Sequence, residues 1–331
     1  MTGCALDDLG EREVIRRVVA RFESPLPPAG PGDDAAVIPA PDGRVVATTD
    51  LLVEGEHFRL DWSSPADVGA KAAVQNLADV AAMGARPTAL LVGLAAPAGL
   101  SIEVAEGIAD GLRAACAGTG AVVVGGDLVR GERLVLAVTA LGDLAGRAPV
   151  LRSGARVGDA VVLAGRVGRS AAGLWLLETG QAGPGAGSRW PGLVAAHQRP
   201  DPPLTAGVAL ARLGATSMCD VSDGLVLDAS SLAQASSVVL ELDVGAVEEQ
   251  AADAEWQDAA ALPGADPRGW VLGGGEDHAL LATVPPEAVG AALQVGATLM
   301  GRVLAAGPRA AAGRVVDEQG NPLAGGFDHF G

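Results

Sequence analysis

The chain has no tyrosine and few other aromatic residues, with four phenylalanines and five tryptophans among 331 residues. Apolar residues still make up 49% of it, so its core must be built mainly from alanine, valine and leucine. Its three cysteines stand far apart and without metal-ligand spacing. This excludes a disulfide framework and a zinc ribbon, and it favours reduced thiols in a cytoplasmic protein.

Basic residues are also scarce. There are 23 of them against 40 acidic residues, which gives a net charge of −17. The sequence contains no arginine-rich stripe with interleaved aromatics. This composition argues against a nucleic-acid surface. Lys71 is the only lysine, and it follows Ala70 rather than the glycine of a phosphate-binding P-loop, so that mode of ATP binding is excluded. Zinc-protease, serine-hydrolase and protein-kinase signatures are also missing.

Long apolar runs are absent as well. The longest, TALLVGLAAPAGL, is broken by glycine and proline and is shorter than the roughly 18 residues of a membrane span. The acidic first residues lack the apolar centre of a signal peptide. We therefore expect a soluble cytoplasmic protein that binds neither membrane nor nucleic acid.

Strand-like and helix-like segments alternate along the whole chain, which predicts an α/β (α+β) fold. The pattern restarts near Ala148, so we expect two domains, 1–148 and 149–331. The clearest helix begins at Pro65 after the cap Ser64 and stops at Gly84. Lys71 lies on one face of it with Asp79, either in an intrahelical ion-pair network or as a phosphate contact.

Acidic residues recur at the ends of apolar runs or beside glycines: Asp34, Asp50, Asp79, Asp127, Asp220 and Asp223. Each one alone is well explained as a turn or helix-cap residue, and this explanation weakens for the set as a whole. Together with Thr48 and Thr49, which precede Asp50, they form a set of hard oxygen ligands of the kind that suits Mg²⁺ bridging phosphates. Both interpretations, solvated turns and one divided metal site, remain open at this point.

Seven motifs carry a resemblance to a known family. They are GPGDDAAVI, TTDLLVEGEHF, KAAVQNLADVAAMGARP, GGDLVRG, LRSGARVGD, DVSDGL and GGEDHAL. In this order they resemble thiamine-monophosphate kinases, which belong to the aminoimidazole-ribonucleotide-synthetase-like superfamily. The resemblance covers nearly the whole chain, and the combination of motifs is far more specific than GGED alone.

The resemblance implies a two-domain fold of that superfamily, in which N-terminal strands of two subunits pair into a β-barrel and make a homodimer. It implies an ATP-dependent kinase with several Mg²⁺ ions that converts thiamine monophosphate to thiamine diphosphate, the last step of thiamine diphosphate biosynthesis. The acceptor is a phosphate oxygen that is already ionised, so no general base is required. We expect direct in-line transfer without a phosphorylated side chain.

The resemblance also assigns roles to individual positions. As metal ligands it implies Asp34, Thr48, Thr49, Asp50, Asp79, Asp127, Asp220 and Asp223, with Asp50, Asp127 and Asp220 as the catalytic residues. As ATP contacts it implies Gly126, Asp127, Arg152 and Ser222. As thiamine-phosphate contacts it implies His57, Glu276 and Phe327.

Other interpretations stay beside these. His57 could be an ordinary half-buried histidine, Arg152 could pair with a structural acid, Glu276 could decorate a glycine turn, and Phe327 could belong to the core. His278 stands where the family usually has tyrosine, which leaves the nucleotide preference open. The alternative functions are another ATPase or synthetase of the superfamily, similar to selenophosphate synthetase or hydrogenase-maturation proteins, and a non-catalytic Mg-nucleotide-binding module.

Overall fold

The computed structural model describes residues 5–9, 11–22, 38–183, 189–308 and 310–327. By its internal contacts the chain divides into two compact units. The N-terminal unit comprises Met1–Val80 with Ala85–Arg147, and the C-terminal unit comprises Ala81–Gly84 with Ala148–Gly331. Within the described ranges, no helix is both long enough and apolar enough to cross a membrane.

The N-terminal unit is built on a four-stranded mixed sheet. Its elements, in chain order, are α1 (Leu6–Leu9), α2 (Glu11–Val19), β1 (Val46–Val53), α3 (Pro65–Ala82), β2 (Arg86–Ala96), α4 (Ile102–Cys116), β3 (Val122–Arg130) and β4 (Val135–Asp143). The strand order is β1-β4-β2-β3. β4 runs antiparallel to both neighbours, and β2 and β3 are parallel. The predicted helix from Pro65 is confirmed as α3.

Helices α3 and α4 touch through their backbones. A Cβ atom on Gly69 would lie 2.0 Å from the carbonyl oxygen of Ile108, and one on Gly111 would lie 2.0 Å from that of Ala66. No side chain fits at either glycine, so the two helices pack closely. The apolar face of α3 is fully buried, as Leu77 shows.

The two faces of this sheet differ sharply. One face is buried and carries Leu52, Leu90 and Leu136. On the other face, apolar side chains are exposed: Leu51 is 54% exposed and Val129 is 51% exposed. Because successive side chains of a strand point to opposite faces, the second face is an apolar surface with solvent access in the single chain.

The C-terminal unit contains a six-stranded sheet of order β10-β7-β9-β5-β8-β6. Its strands are β5 (Ala160–Ala164), β6 (Ser217–Val221), β7 (Val239–Leu242), β8 (Ala279–Val284), β9 (Ala297–Leu304) and β10 (Val315–Val316). Its helices are α5 (Arg169–Glu178), α6 (Pro191–Gln198), α7 (Leu204–Arg212), α8 (Leu225–Ser236), α9 (Val244–Ala251), α10 (Ala254–Ala260), α11 (Pro267–Gly273) and α12 (Val289–Gln294). The expected α/β fold with two domains is confirmed.

Strands β6 and β8 set the geometry of the candidate site in this unit. They are antiparallel neighbours, with Asp220 opposite Leu280 and Val221 opposite Ala279. Every residue of both strands is buried. The last residue of β6, Val221, is paired with the first residue of β8, Ala279. The DVSDG and GGEDH motifs are therefore neighbours at this end of the two strands.

Candidate active site

In the N-terminal unit, strand β1 and helix α3 bring three predicted ligands together. The hydroxyl of Thr48 donates a hydrogen bond to Asp79 Oδ2 at 2.7 Å. The backbone N–H of Asp50 donates to Asn76 Oδ1 at 3.1 Å, which ties β1 to α3 one turn before Asp79. Thr48 and Asp50 lie on the same face of the strand because they are two residues apart. We call Thr48, Asp50 and Asp79 the β1–α3 acid group.

Thr49 does not belong to this group. Its hydroxyl donates to the carbonyl oxygen of Val138 at 3.0 Å and accepts from the hydroxyl of Thr139 at 3.1 Å. Its side chain therefore lies on the opposite face of β1 from Thr48 and Asp50, as strand alternation requires. Asp34, the first predicted metal ligand, lies outside the described residues.

Asp127 is also separate from the β1–α3 acid group within one chain. It lies on β3, at the other edge of the sheet from β1. Three strand spacings of about 4.8 Å place the two edges about 14 Å apart. Its neighbour Leu128 packs against the cluster of Val14 and Ile102, so the exposed Asp127 faces the other, apolar side of the sheet.

The adjacent Gly126 has a backbone role. A Cβ atom there would lie 2.0 Å from the carbonyl oxygen of Val92. Only glycine allows strands β2 and β3 to approach in this way. The glycine of GGD is therefore required by the sheet itself, whatever it contacts in a complex.

The turn after β1 holds His57 in a defined orientation. The backbone N–H of Val53 donates to His57 Nδ1 at 3.1 Å. An Nδ1 atom that accepts a hydrogen bond carries no proton, so in the neutral ring the proton is on Nε2. His57 thus offers an N–H donor on the side of the ring away from the turn, which is the property that a phosphate contact needs.

Lys71 is buried at 1% exposure, and its ammonium group donates to the carbonyl oxygen of His57 at 2.9 Å. Lys71 and Asp79 are eight residues apart, or about 12 Å along the helix axis, which is too far for a direct ion pair. The contact with His57 differs from both roles that the sequence left open for Lys71.

In the C-terminal unit, Asp220 is the penultimate residue of β6 and is buried beside His278. The Nδ1 atom of His278 lies 3.1 Å from Asp220 Oδ2. The backbone N–H of His278 donates to the carbonyl oxygen of Val221 at 2.9 Å. His278 has a φ of 54°, in the left-handed region that a residue with a Cβ rarely adopts. The residue with this strained backbone is the one whose imidazole contacts Asp220.

Asp228 is a site residue that the sequence analysis missed. Its Oδ2 atom accepts the backbone N–H groups of Ser222 and Asp223, each at 3.0 Å. Burial, with the negative charges of Asp220 and Asp223, raises the pKa of Asp228 to about 7, while the hydrogen bond from the Asp223 amide and the positive charge of Arg152 lower it. The only sequence signal is an acid in the first turn of a helix that follows a glycine turn.

The GGED segment is shaped by the same turn. A Cβ atom on Gly275 would lie 2.3 Å from the carbonyl oxygen of Ser222, and the N–H of Glu276 donates to that oxygen at 2.7 Å. Glu276 has a φ of 65°, and its Oε2 atom lies 3.6 Å from Nδ1 of the buried His197. The backbone of Glu276 is fixed by its hydrogen bond to Ser222, whereas its side chain is partly exposed and its carboxylate is accessible to solvent.

Asp277, in contrast, points into the protein. Its two oxygens accept the N–H groups of Gly168 at 2.6 Å and Ser170 at 2.8 Å, at the start of α5. Burial raises the pKa of Asp277 to about 7, against the effect of these two hydrogen bonds. The acid therefore caps a helix and anchors the GGED segment.

Phe327 and Arg152 border the same turn. The N–H of Phe327 donates to the carbonyl oxygen of Asp223 at 2.8 Å, while its side chain is 57% exposed. The side chain of Phe327 therefore does not belong to the core. The carbonyl oxygen of Arg152 accepts the hydroxyl of Ser236 at 2.9 Å, which fixes the backbone that carries its guanidinium.

Among the described residues, no three His, Cys, Asp or Glu side chains converge closely enough to hold a metal ion by themselves. The oxygen donors occur instead as small groups in each unit. This arrangement fits Mg²⁺, which commonly takes one or two protein carboxylates and completes its octahedron with water and substrate phosphates. It does not fit Zn²⁺, which prefers nitrogen and sulfur ligands.

Comparison with known proteins identifies the family. Residues 32–144 match the N-terminal domain of AIR synthase related proteins, and residues 156–307 match their C-terminal domain. A thiamine-monophosphate kinase of Mycobacterium tuberculosis is 49% identical over 279 residues, covering 84% of this chain and 81% of the relative.

Two solved structures agree with this result. The thiamine-monophosphate kinase of Stenotrophomonas maltophilia superposes with a TM-score of 0.80 at 30% identity, over 94% of this chain and 96% of that one. A structure described as AaThiL complexed with AMPPCP and TMP superposes with a TM-score of 0.77 at 31% identity over the whole of both chains. The chain therefore belongs to the thiamine-monophosphate kinase family of AIR synthase related proteins.

Proposed function

We propose that this protein transfers the terminal phosphoryl group of ATP to the phosphate of thiamine monophosphate, giving thiamine diphosphate and ADP. The identity of 49% to a thiamine-monophosphate kinase across most of both chains supports this reaction. The observation within the structure that carries it is the β1–α3 acid group, in which Thr48 and Asp79 oxygens lie 2.7 Å apart and Asp50 shares the strand face.

The charge balance calls for a cation. The protein has a net charge of −17, and both substrates are anions that its carboxylates would repel. Mg²⁺ bridging carboxylate and phosphate oxygens would replace this repulsion by attraction and neutralise charge in the transition state. We propose Asp34, Thr48, Asp50, Asp79, Asp127, Asp220 and Asp223 as the residues that hold such ions through their side chains. Thr49 remains a proposed ligand only through its backbone, because its hydroxyl is bonded to β4.

The protein residues would align the two substrates. We propose that His57 donates from Nε2 to thiamine monophosphate, and that Glu276 and Phe327 contact the thiamine part. Gly126, Asp127, Arg152 and Ser222 are the proposed ATP contacts, and Asp50, Asp127 and Asp220 the catalytic residues. The acceptor oxygen carries no proton that must be removed, so the side chains serve alignment and charge balance.

We further propose that the protein works as a homodimer. The apolar outer face of the N-terminal sheet, with the exposed Leu51 and Val129, supports this because a second copy would remove it from water. The position of Asp127, across the sheet from Asp50, supports it independently. If both serve one metal cluster, they come from different copies of the chain.

The reaction is tested by chromatography of products after incubation with Mg-ATP and thiamine monophosphate, with free thiamine as the control acceptor. Equal amounts of ADP and thiamine diphosphate, formed from the monophosphate alone, are expected. Nucleotide hydrolysis without thiamine diphosphate would place the protein with another activity of the superfamily. An absence of turnover would favour a nucleotide-binding module.

The shared dimer site is tested by mixing two inactive variants, Asp50→Asn and Asp127→Asn. If each site takes Asp50 from one copy and Asp127 from the other, mixed dimers contain one intact site and activity returns. If both residues act within one chain, every site keeps a lesion and the mixture stays inactive. Leu51→Arg should produce monomers by light scattering, whereas Leu293→Arg, at an exposed leucine of α12, should not.

A further inference from the structure

The position of Lys71 is unusual for a lysine. Apart from Lys71, every residue of the lysine and arginine set is an arginine. The only lysine of the chain is therefore a buried one. Lys71 has 1% exposure in the middle of α3. Burying an ammonium group is costly unless its hydrogens find acceptors, so a buried lysine requires a specific role.

Lys71 is directed at the backbone of the His57 turn. Its Nζ atom donates to the carbonyl oxygen of His57 at 2.9 Å. The same turn is closed by the N–H of His57 on the carbonyl oxygen of Val53 at 3.0 Å and by the N–H of Gly55 on that of Phe58 at 2.8 Å. Lys71 therefore connects helix α3 to His57, the residue of the turn whose ring nitrogen accepts a backbone hydrogen bond.

The ring orientation depends on this backbone. His57 Nδ1 accepts a hydrogen bond from the N–H of Val53 at 3.1 Å. This hydrogen bond can form only while the backbone from Val53 to His57 keeps its turn conformation. The Lys71 bond fixes the carbonyl at the end of that curve. Loss of the bond would let the turn relax and let the imidazole leave the orientation in which Nε2 carries the proton.

We propose that Lys71 is a positioning residue for phosphate-ester recognition: its buried ammonium holds the carbonyl of His57 so that the imidazole presents Nε2–H to the phosphate of thiamine monophosphate. This inference rests on the proposed function and adds a residue to it. Arginine is a poor substitute, because its guanidinium is longer and planar and would overpack a site that has no exposed surface.

The kinetic test uses Lys71→Met, which keeps the length and apolar stem but removes the donor. We expect KM for thiamine monophosphate to rise about tenfold, the loss of one hydrogen bond to a charged group, with KM for ATP changed less than twofold. Arg113→Met, at an exposed arginine of α4 in the same unit, is the matched control and should leave both KM values unchanged.

A double variant separates positioning from general destabilisation. In a His57→Ala background, Lys71→Met should cause little further rise in KM, because the ring that Lys71 positions is gone. Additive effects of the two changes, or equal rises in KM for both substrates, would overturn the proposal. Thermal unfolding of each variant shows whether the fold is retained.

A second readout is independent of turnover. Because Lys71 is the only lysine, labelling lysine with ¹³C at Cε gives a single side-chain NMR signal. We expect this signal to shift on addition of thiamine monophosphate and to stay in place with thiamine. No shift, or the same shift with thiamine, would overturn the role of Lys71. If the wild type binds thiamine monophosphate with this shift but makes no thiamine diphosphate, the proposed reaction fails and the positioning role stands.

Discussion

Three aspartates, Asp79 of the N-terminal unit and Asp228 and Asp277 of the C-terminal unit, have different partners. In the N-terminal unit, Asp79 accepts a hydrogen bond from the hydroxyl group of Thr48. In the C-terminal unit, Asp228 and Asp277 each accept two backbone N–H groups and are buried. A carboxylate that is committed to backbone amides maintains a turn, whereas one beside a hydroxyl on a strand face is suited to a cation. The residue type is the same, and the partner distinguishes the roles.

The comparison explains why the C-terminal unit needs additional acids. Its proposed ligand Asp220 lies in β6 and Asp223 lies on the turn that follows, and Asp228 holds that turn through the amides of Ser222 and Asp223. In the N-terminal unit, Thr48 and Asp50 lie on a strand and Asp79 lies on a helix, and these elements maintain their own backbones. A site built on regular elements requires fewer supporting residues.

The largest expected effect is on catalysis in the N-terminal unit. Asp50→Asn should lower kcat by at least a factor on the order of 10³, because a metal ligand and its charge are lost while the side-chain shape is kept. Its thermal stability should change little, since the backbone N–H that ties it to Asn76 remains. Steady-state kinetics with Asp110→Asn as control checks this, and retained activity would contradict the metal assignment.

The next effect is on stability in the C-terminal unit. Asp228→Ala should lower the free energy of unfolding by about 3 kcal/mol, because the Ser222 and Asp223 amides lose a buried acceptor. Asp228→Asn keeps an acceptor oxygen and should lose much less. Urea unfolding of both variants beside Asp50→Ala measures the contrast. Equal stability of all three would remove the distinction between supporting and ligand-holding acids.

A smaller effect concerns pH. The pKa of Asp277 is raised to about 7 in the folded protein by burial, above the value near 4 of an unfolded chain. The folded state therefore holds the extra proton between these values, and this contribution to stability is lost as pH rises from about 4 to about 7. Three pKa units set an upper limit of about 4 kcal/mol on this loss.

The measurement compares wild type with Asp277→Asn by urea unfolding at pH 5 and pH 8. The variant cannot titrate at this position, so the stability difference between the two proteins should shift in favour of the variant at the higher pH. A difference that is the same at both values would show that Asp277 does not change its charge in this range. Asp61→Asn, at an exposed acid, serves as the control.

Much of the local structure was predictable from the sequence. The cap Ser64 and stop Gly84 bound α3 correctly, and the apolar run that the sequence analysis ends at Asp50 lies in strand β1. The same strand prediction implies that Thr49 faces away from Thr48 and Asp50, because side chains alternate. Motif resemblance grouped all three as side-chain ligands, and the period of the strand shows which one differs.

What the sequence could not supply were contacts between distant segments. Asp277 caps a helix more than a hundred residues earlier in the chain, and no local pattern indicates this partner. The contact of Lys71 with a backbone carbonyl depends on how closely the turn packs on α3. Propensity and spacing describe each element by itself, and such contacts arise only when the elements pack.

The smallest expected effect tests whether the GGED segment combines both kinds of acid in adjacent residues. Glu276→Ala should raise KM for thiamine monophosphate about tenfold and leave KM for ATP nearly unchanged, since one charged hydrogen bond is lost. Glu276→Gly should raise it equally but unfold at a higher temperature than the alanine variant, because glycine adopts a φ of 65° without strain. An equal rise in KM for thiamine monophosphate and for ATP would mean that Glu276, like Asp277, only maintains the turn.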